Sequence, residues 1–157
     1  MSKTLKKILV YGYGNPGRQD DALGVKLAEE IDAWSKEKDI AGIYTDSNYQ
    51  LNIEDAAEIS DKDIVVFADA SIVESVNDFY LSVLEPSAKV EFTMHAVSPA
   101  FVLHLCKEIY SREPETYLLH IRGYEWELKE GLTKEANENL IKAVKHIKEF
   151  IVSKVNQ

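Results

Sequence analysis

Four residues could carry chemistry here: Asp20, Asp21, Asp69 and His95. Carboxylates and an imidazole together suit a hard-to-borderline divalent metal. The same groups can also act as acid and base without one. Their spacing makes them a set. Asp20 and Asp21 follow the first apolar run, Ile8 to Tyr11, at the expected start of a helix. Asp69 closes the clearest apolar run, Ile64 to Ala68, and His95 falls just before a helix opened by Ser98-Pro99. In an open α/β sheet, ligands bind beyond the carboxyl ends of the strands. Asp21, Asp69 and His95 are therefore expected on one rim of the sheet, as a metal site or as acid and base. Asp20 reads as the cap and dipole complement of the helix, and losing a cap costs about 1 kcal/mol.

The loop holding the first two acids runs Gly12-Tyr13-Gly14-Asn15-Pro16-Gly17-Arg18-Gln19-Asp20-Asp21. Gly12, Gly14 and Gly17 formally match a dinucleotide-binding pattern. In such a site the helix starts inside the glycines and offers its bare N–H groups to a pyrophosphate. Here Pro16 and Arg18-Gln19 delay the helix, and two carboxylates fill its first turn. The acid after the second strand, Asp46, also comes later than the roughly 20 residues of the pattern. A nucleotide-binding domain stands as the alternative reading. Other catalytic signatures are missing: there is no Gly-x-Ser-x-Gly, no phosphate loop and no His-Glu-x-x-His.

Cys106 lies among Val102, Leu103, Leu105 and Ile109 and reads as a small core residue. His104 and His120 read as structural, and His146 as solvent-facing. Two loops share the expected rim. Asp46 to Leu51 is polar, a turn or a ligand contact. Gly123 to Leu128 interleaves Tyr124 and Trp126 with acids, a packed lid or a recognition surface.

The elements that must position these residues alternate along the chain. Strands are expected at 8–12, 42–45, 63–69 and 116–121, with extended pieces at 79–84 and 89–93 forming a hairpin around Glu85-Pro86-Ser87. Helices are expected from Asp20 through Trp34, over 53–59, over 98–110 and over 134–155. The last carries Ala136, Leu140, Val144, Ile147, Ile151 and Val155 in one stripe. Strand–helix alternation points to an α/β domain with a mostly parallel sheet. The 157 residues suit one domain, 1–157, with a sizeable core.

Composition narrows the partners. Eighteen Lys and Arg stand against 27 Asp and Glu, a formal charge of -9. Phosphate backbones and anionic membranes are disfavoured. A single cysteine excludes a disulfide framework and a cysteine-built zinc site. The apolar run near the N-terminus is too short for a signal-peptide core or a membrane span. The cytosol is the expected compartment.

Gly12-Tyr13-Gly14-Asn15-Pro16 through Asp20-Asp21 and Gly24 resembles the opening motif of the [NiFe]-hydrogenase maturation endopeptidases. Ala68-Asp69-Ala70 resembles that family's second motif and His95 its third. Gly123-Tyr124-Glu125 with Gly131-Leu132-Thr133 is similar to its closing segment. The resemblance implies a three-layer α/β/α fold with a twisted, mostly parallel sheet of the phosphorylase/hydrolase-like kind. It implies an aspartic-type endopeptidase that removes a C-terminal peptide from the nickel-loaded large-subunit precursor. It places Asp21, Asp69 and His95 in the metal-contacting triad, the nickel being carried by the substrate. Where many members have a glycine pair after the second-strand acid, this chain has Ser47-Asn48-Tyr49. A non-catalytic nickel-sensing maturation chaperone on the same fold is the remaining reading.

Overall fold

The structure, a computed structural model, describes residues 5–89 and 97–157. The strands are β1 (Ile8–Tyr13), β2 (Ile43–Asn48), β3 (Ile64–Ser71), β4 (Phe79–Val83) and β5 (Glu115–Arg122). The helices are α1 (Leu23–Glu37), α2 (Asp55–Ile59), α3 (Pro99–Tyr110) and α4 (Lys134–Val155), with a 3-10 turn over Gln19–Ala22 leading into α1. His95, and the part of the expected hairpin from Val90 on, lie outside the described residues.

The strands form one sheet in the order β2-β1-β3-β5-β4. All neighbours are parallel except β4, which runs antiparallel to β5. β1 and β3 lie inside the sheet, and Ile8 to Tyr11 and Ile64 to Ala68 are all buried. Strands covered on both faces need such unbroken apolar runs. β2 is an edge strand, and Tyr44, Asp46, Ser47 and Asn48 on it are exposed.

Each face of the sheet has its own core. On one side Leu23, Leu27 and Ile31 of α1 and Ala136, Leu140, Val144, Ile147 and Ile151 of α4 meet Ile8, Val10, Ile64 and Val66. On the other, Ala56 and Ile59 of α2 and Val102, Leu103 and Cys106 of α3 meet Leu9, Tyr11, Val65 and Phe67. This is the three-layer α/β/α arrangement. Truncating Ile147, which is fully buried, should cost about 2–5 kcal/mol. The caps follow from sequence. The Ser98 hydroxyl accepts from the Phe101 N–H at 3.1 Å, and Pro99 occupies the first turn of α3, where its missing N–H costs nothing.

The chain runs from β1 to its neighbour on one side, β2, and then to its neighbour on the other, β3. The crevice of the fold therefore opens beyond the carboxyl ends of β1 and β3.

Candidate functional site

Close approach of backbone to backbone places the first acid. A Cβ on Gly12 would collide with the Gly24 carbonyl, and one on Gly24 with the Ala68 carbonyl. With both positions bare, α1 starts directly against β1 and β3. Gly14 has φ 142, and a Cβ there would strike the Asp21 carbonyl. The glycines thus bring the turn before α1 down onto the end of β1. From that turn Asp21 Oδ2 accepts the Asn15 N–H at 2.8 Å.

Asp69 comes from β3, two residues before the strand ends at Ser71; the expected end at Asp69 is short by that much. At two-residue spacing it shares a face with Val65 and Phe67, which belong to the α2–α3 side of the core. The carboxyl is pushed up to about 7, first by burial and then by the charge of Asp21. The Ala70 N–H and the Tyr13 phenol donate to it and pull the other way. Tyr13 is itself driven far up by burial and by the Asp69 charge, so it stays a hydrogen-bond donor. The structure therefore joins two of the three expected site residues, Asp21 and Asp69, across the switch point. Among the described residues no group of three metal-binding side chains is gathered. His95, the third, lies outside them.

Tyr13 was missing from the sequence-derived set. Strand alternation could have put it on the same face as Tyr11, but only the pairing of β1 with β3 brings it beside Asp69. His120 pairs with Asp69 in register on β5, and burial holds its imidazole below the ordinary value. His104 packs against Phe101 on α3, and Cys106 is fully buried as expected.

Asp20 is not a helix cap. The 3-10 turn and α1 both begin without a side-chain cap bond. The Asp20 side chain is fully buried and reaches the segment after β5. Its Oδ2 accepts from the N–H groups of Tyr124 at 2.8 Å and Glu125 at 3.1 Å and from the Thr133 hydroxyl at 2.8 Å. Its Oδ1 accepts from the Thr133 N–H at 2.8 Å. Successive residues of a 3-10 turn point about 120° apart, so one aspartate serves the loop while the next faces the crevice. Gly123 to Leu128 is thus tied down through its main chain, while Tyr124, Glu125, Glu127 and Leu128 stay exposed. A Cβ on Gly123 would meet both Asp20 and the Trp126 ring.

Asp46 lies within β2, exposed, and pairs with Glu58 of α2. Burial first, then the hydrogen bond and charge of Asp46, push Glu58 up to about 7. The groove beside the glycine loop, lined by Gly14, Pro16, Val25, Ser47, Asn48 and Tyr49, holds about 240 Å³. That falls below the roughly 300–1,000 Å³ of small-molecule sites.

No family model matches the chain, and no curated protein matches its sequence. Solved structures do match. The [NiFe] hydrogenase maturation protease HycI from Thermococcus kodakarensis superposes with a TM-score of 0.73 at 22% identity, covering 92% of each chain. The hydrogenase maturating endopeptidase HybD from E. coli gives 0.75 at 18% identity, covering 94% of this chain and 93% of its own. The hydrogenase 2 maturation peptidase from a Thaumarchaeota archaeon gives 0.68 at 21%, covering 93% and 98%. The chain shares the fold of these proteases along nearly its whole length. At such identities the likeness establishes the fold, and the chemistry has to be argued from the site.

Proposed function

We propose that the chain is an endopeptidase that removes the C-terminal peptide of a nickel-loaded [NiFe]-hydrogenase large-subunit precursor. The observation that carries this reading is the Asp21–Asp69 pair, held at the switch point of a fold shared with hydrogenase maturation proteases. Two carboxylates close enough for one charge to raise the other are relieved by a divalent cation between them. The donor set therefore fits a metal presented by the substrate, with His95 as the third contact that the sequence resemblance implies. When the precursor docks, its nickel supplies the recognition element and polarises nearby groups.

The chain's own residues then handle protons. Beside the crevice, the Asp69 carboxylate can take a proton from an attacking water and return it to the leaving amide nitrogen. The Asn15 N–H holds Asp21, and Tyr13 holds Asp69, so neither acid needs to reorganise. Specificity would come from the loops at Ser47-Asn48 and Tyr124-Trp126. The setting would be the cytoplasm, in keeping with the free Cys106. Among the described residues no helix is long and apolar enough to cross a membrane.

The test is the intact mass of the nickel-loaded precursor before and after mixing with the protein, with Asp69→Asn alongside. A discrete C-terminal loss, absent with the variant, is the expected result. A correctly loaded precursor left uncut would instead favour the nickel-sensing reading.

A further inference from the structure

The turn that presents Asp21 is strained and has no cap of its own. Gln19 is nearly buried and sits at φ 46, a left-handed conformation that ordinary side chains rarely adopt. Such a residue persists only where its surroundings over-determine it. Here they do so from one segment, 125–129, with Asp20 extending the grip to Tyr124 and Thr133. The Gln19 N–H donates to the Lys129 carbonyl at 2.9 Å, and its side-chain oxygen accepts from the Glu127 N–H at 3.1 Å. The Asp20 N–H donates to the Glu125 carbonyl at 3.1 Å, and the Arg18 guanidinium donates to the Trp126 carbonyl at 3.2 Å and 3.3 Å. The four bonds accepted by the Asp20 carboxylate complete the clasp. On the opposite side of the turn, among the described residues, a single main-chain donor, Asn15, meets Asp21.

We propose that Asp20 is a positioning residue. Its buried carboxylate clasps the 123–133 segment and so fixes the strained turn that holds Asp21 against Asn15 and toward Asp69. The catalytic consequence rests on the function proposed above; the geometric one does not. A clasp that served only to tie down the loop would free Tyr124 and Glu125 when cut and leave Asn15 unchanged. A clasp that positions Asp21 must release the Asn15 N–H, which lies across the turn and touches none of the clasp residues' side chains except through that turn.

Two variants cut it. Asp20→Asn keeps the shape but turns one acceptor into a donor. Gln19→Gly accepts φ 46 without strain and deletes the side-chain bonds. Amide hydrogen exchange is read at Asn15 relative to Val66, a fully buried residue of β3. Both variants are expected to exchange Asn15 at least about tenfold faster on that scale. On nickel-loaded precursor kcat should fall about tenfold or more, with KM changed less than about twofold. Unchanged Asn15 protection beside freed Tyr124 and Glu125 amides would overturn the proposal. So would an unaltered kcat, or failure of both variants to fold, since the clasp would then be structure alone. A wild type that leaves the precursor uncut sinks the proposed activity instead, and the Asn15 measurement still decides whether Asp20 positions Asp21.

Discussion

Two pairs of carboxyl groups in this protein are crowded in the same way. In Asp21–Asp69 and in Asp46–Glu58, burial and then a neighbouring acid push one member to about 7. Their surroundings differ. Asp69 lies where β1 and β3 diverge, with a phenol and a main-chain N–H donating to it. Glu58 lies on a short helix beside the sheet's edge, and the charge of Lys62 offsets part of its shift. The Lys62 ammonium also donates to the Glu58 carbonyl at 3.0 Å. A raised carboxyl thus records crowding, and crowding alone does not make a site. What separates the pairs is the topology around them. One faces the crevice at the switch point; the other faces a polar edge.

The largest effect that can break this comparison is at Asp69. Asp69→Asn should reduce precursor processing by at least about a thousandfold, read by intact mass. His95→Ala should do the same. Asp69→Asn should also make the protein more stable at pH 8. The folded carboxyl lies at about 7, above its ordinary 3.8. Its contribution to stability is therefore present in full below about pH 4 and is lost as pH rises through 7. The variant's advantage should grow over that window and then level off, as melting curves from pH 4 to 8 would show. A variant that still cuts at the normal rate removes Asp69 from the site.

Next is Asp20. As a cap it would be worth about 1 kcal/mol. As a buried acceptor of four bonds from Tyr124, Glu125 and Thr133, its loss leaves several donors unpaired. Each such donor costs about 1–3 kcal/mol. Asp20→Ala should therefore lose about 3 kcal/mol or more in urea unfolding, with a normal m-value. A loss near 1 kcal/mol would mean the segment finds other partners. Smaller again is Tyr13→Phe. It removes a donor that lowers the Asp69 pKa, so Asp69 should titrate higher still. Processing should slow about tenfold at pH 7, with the pH–rate profile displaced toward alkaline pH. An unshifted profile would leave Tyr13 as packing only.

How much of this was legible before the fold was known depends on whether the signal is local. β1, β3 and α4 were readable because unbroken apolar runs and a helical stripe are set by burial within the element itself. The start of α3 was readable because Ser98-Pro99 caps locally. Asp21 and Asp69 could be placed on one rim because strand ends share a rim in this topology. The partner of Asp20 was not readable. Thr133 lies 113 residues away, and nothing in Asp20-Asp21 distinguishes a cap from a long-range acceptor. Tyr13 beside Asp69 and Asp46 beside Glu58 share that character, since both are consequences of register and helix placement. The glycines were visible but ambiguous. Of Gly12, Gly14 and Gly17, whose pattern alone also allowed a pyrophosphate, the first two meet backbone in the structure and the third only the Asn15 side chain.

The smallest expected effect is the one that sharpens the comparison most. Glu58→Gln removes the second raised carboxyl without touching the crevice. Its folded value of about 7 stands above the ordinary 4.5. Stability from this group is present below about pH 4.5 and is lost through pH 7, so the variant should melt slightly higher at pH 8 and equally at pH 4. Lys62 and partial solvation keep the gain modest. Processing should stay within twofold of wild type. Both substitutions thus flatten the same stretch of the stability curve, and only one abolishes cutting. If Glu58→Gln also stopped processing, the separation of the two pairs by topology would fail, and the edge at Asp46 would have to be part of the substrate path.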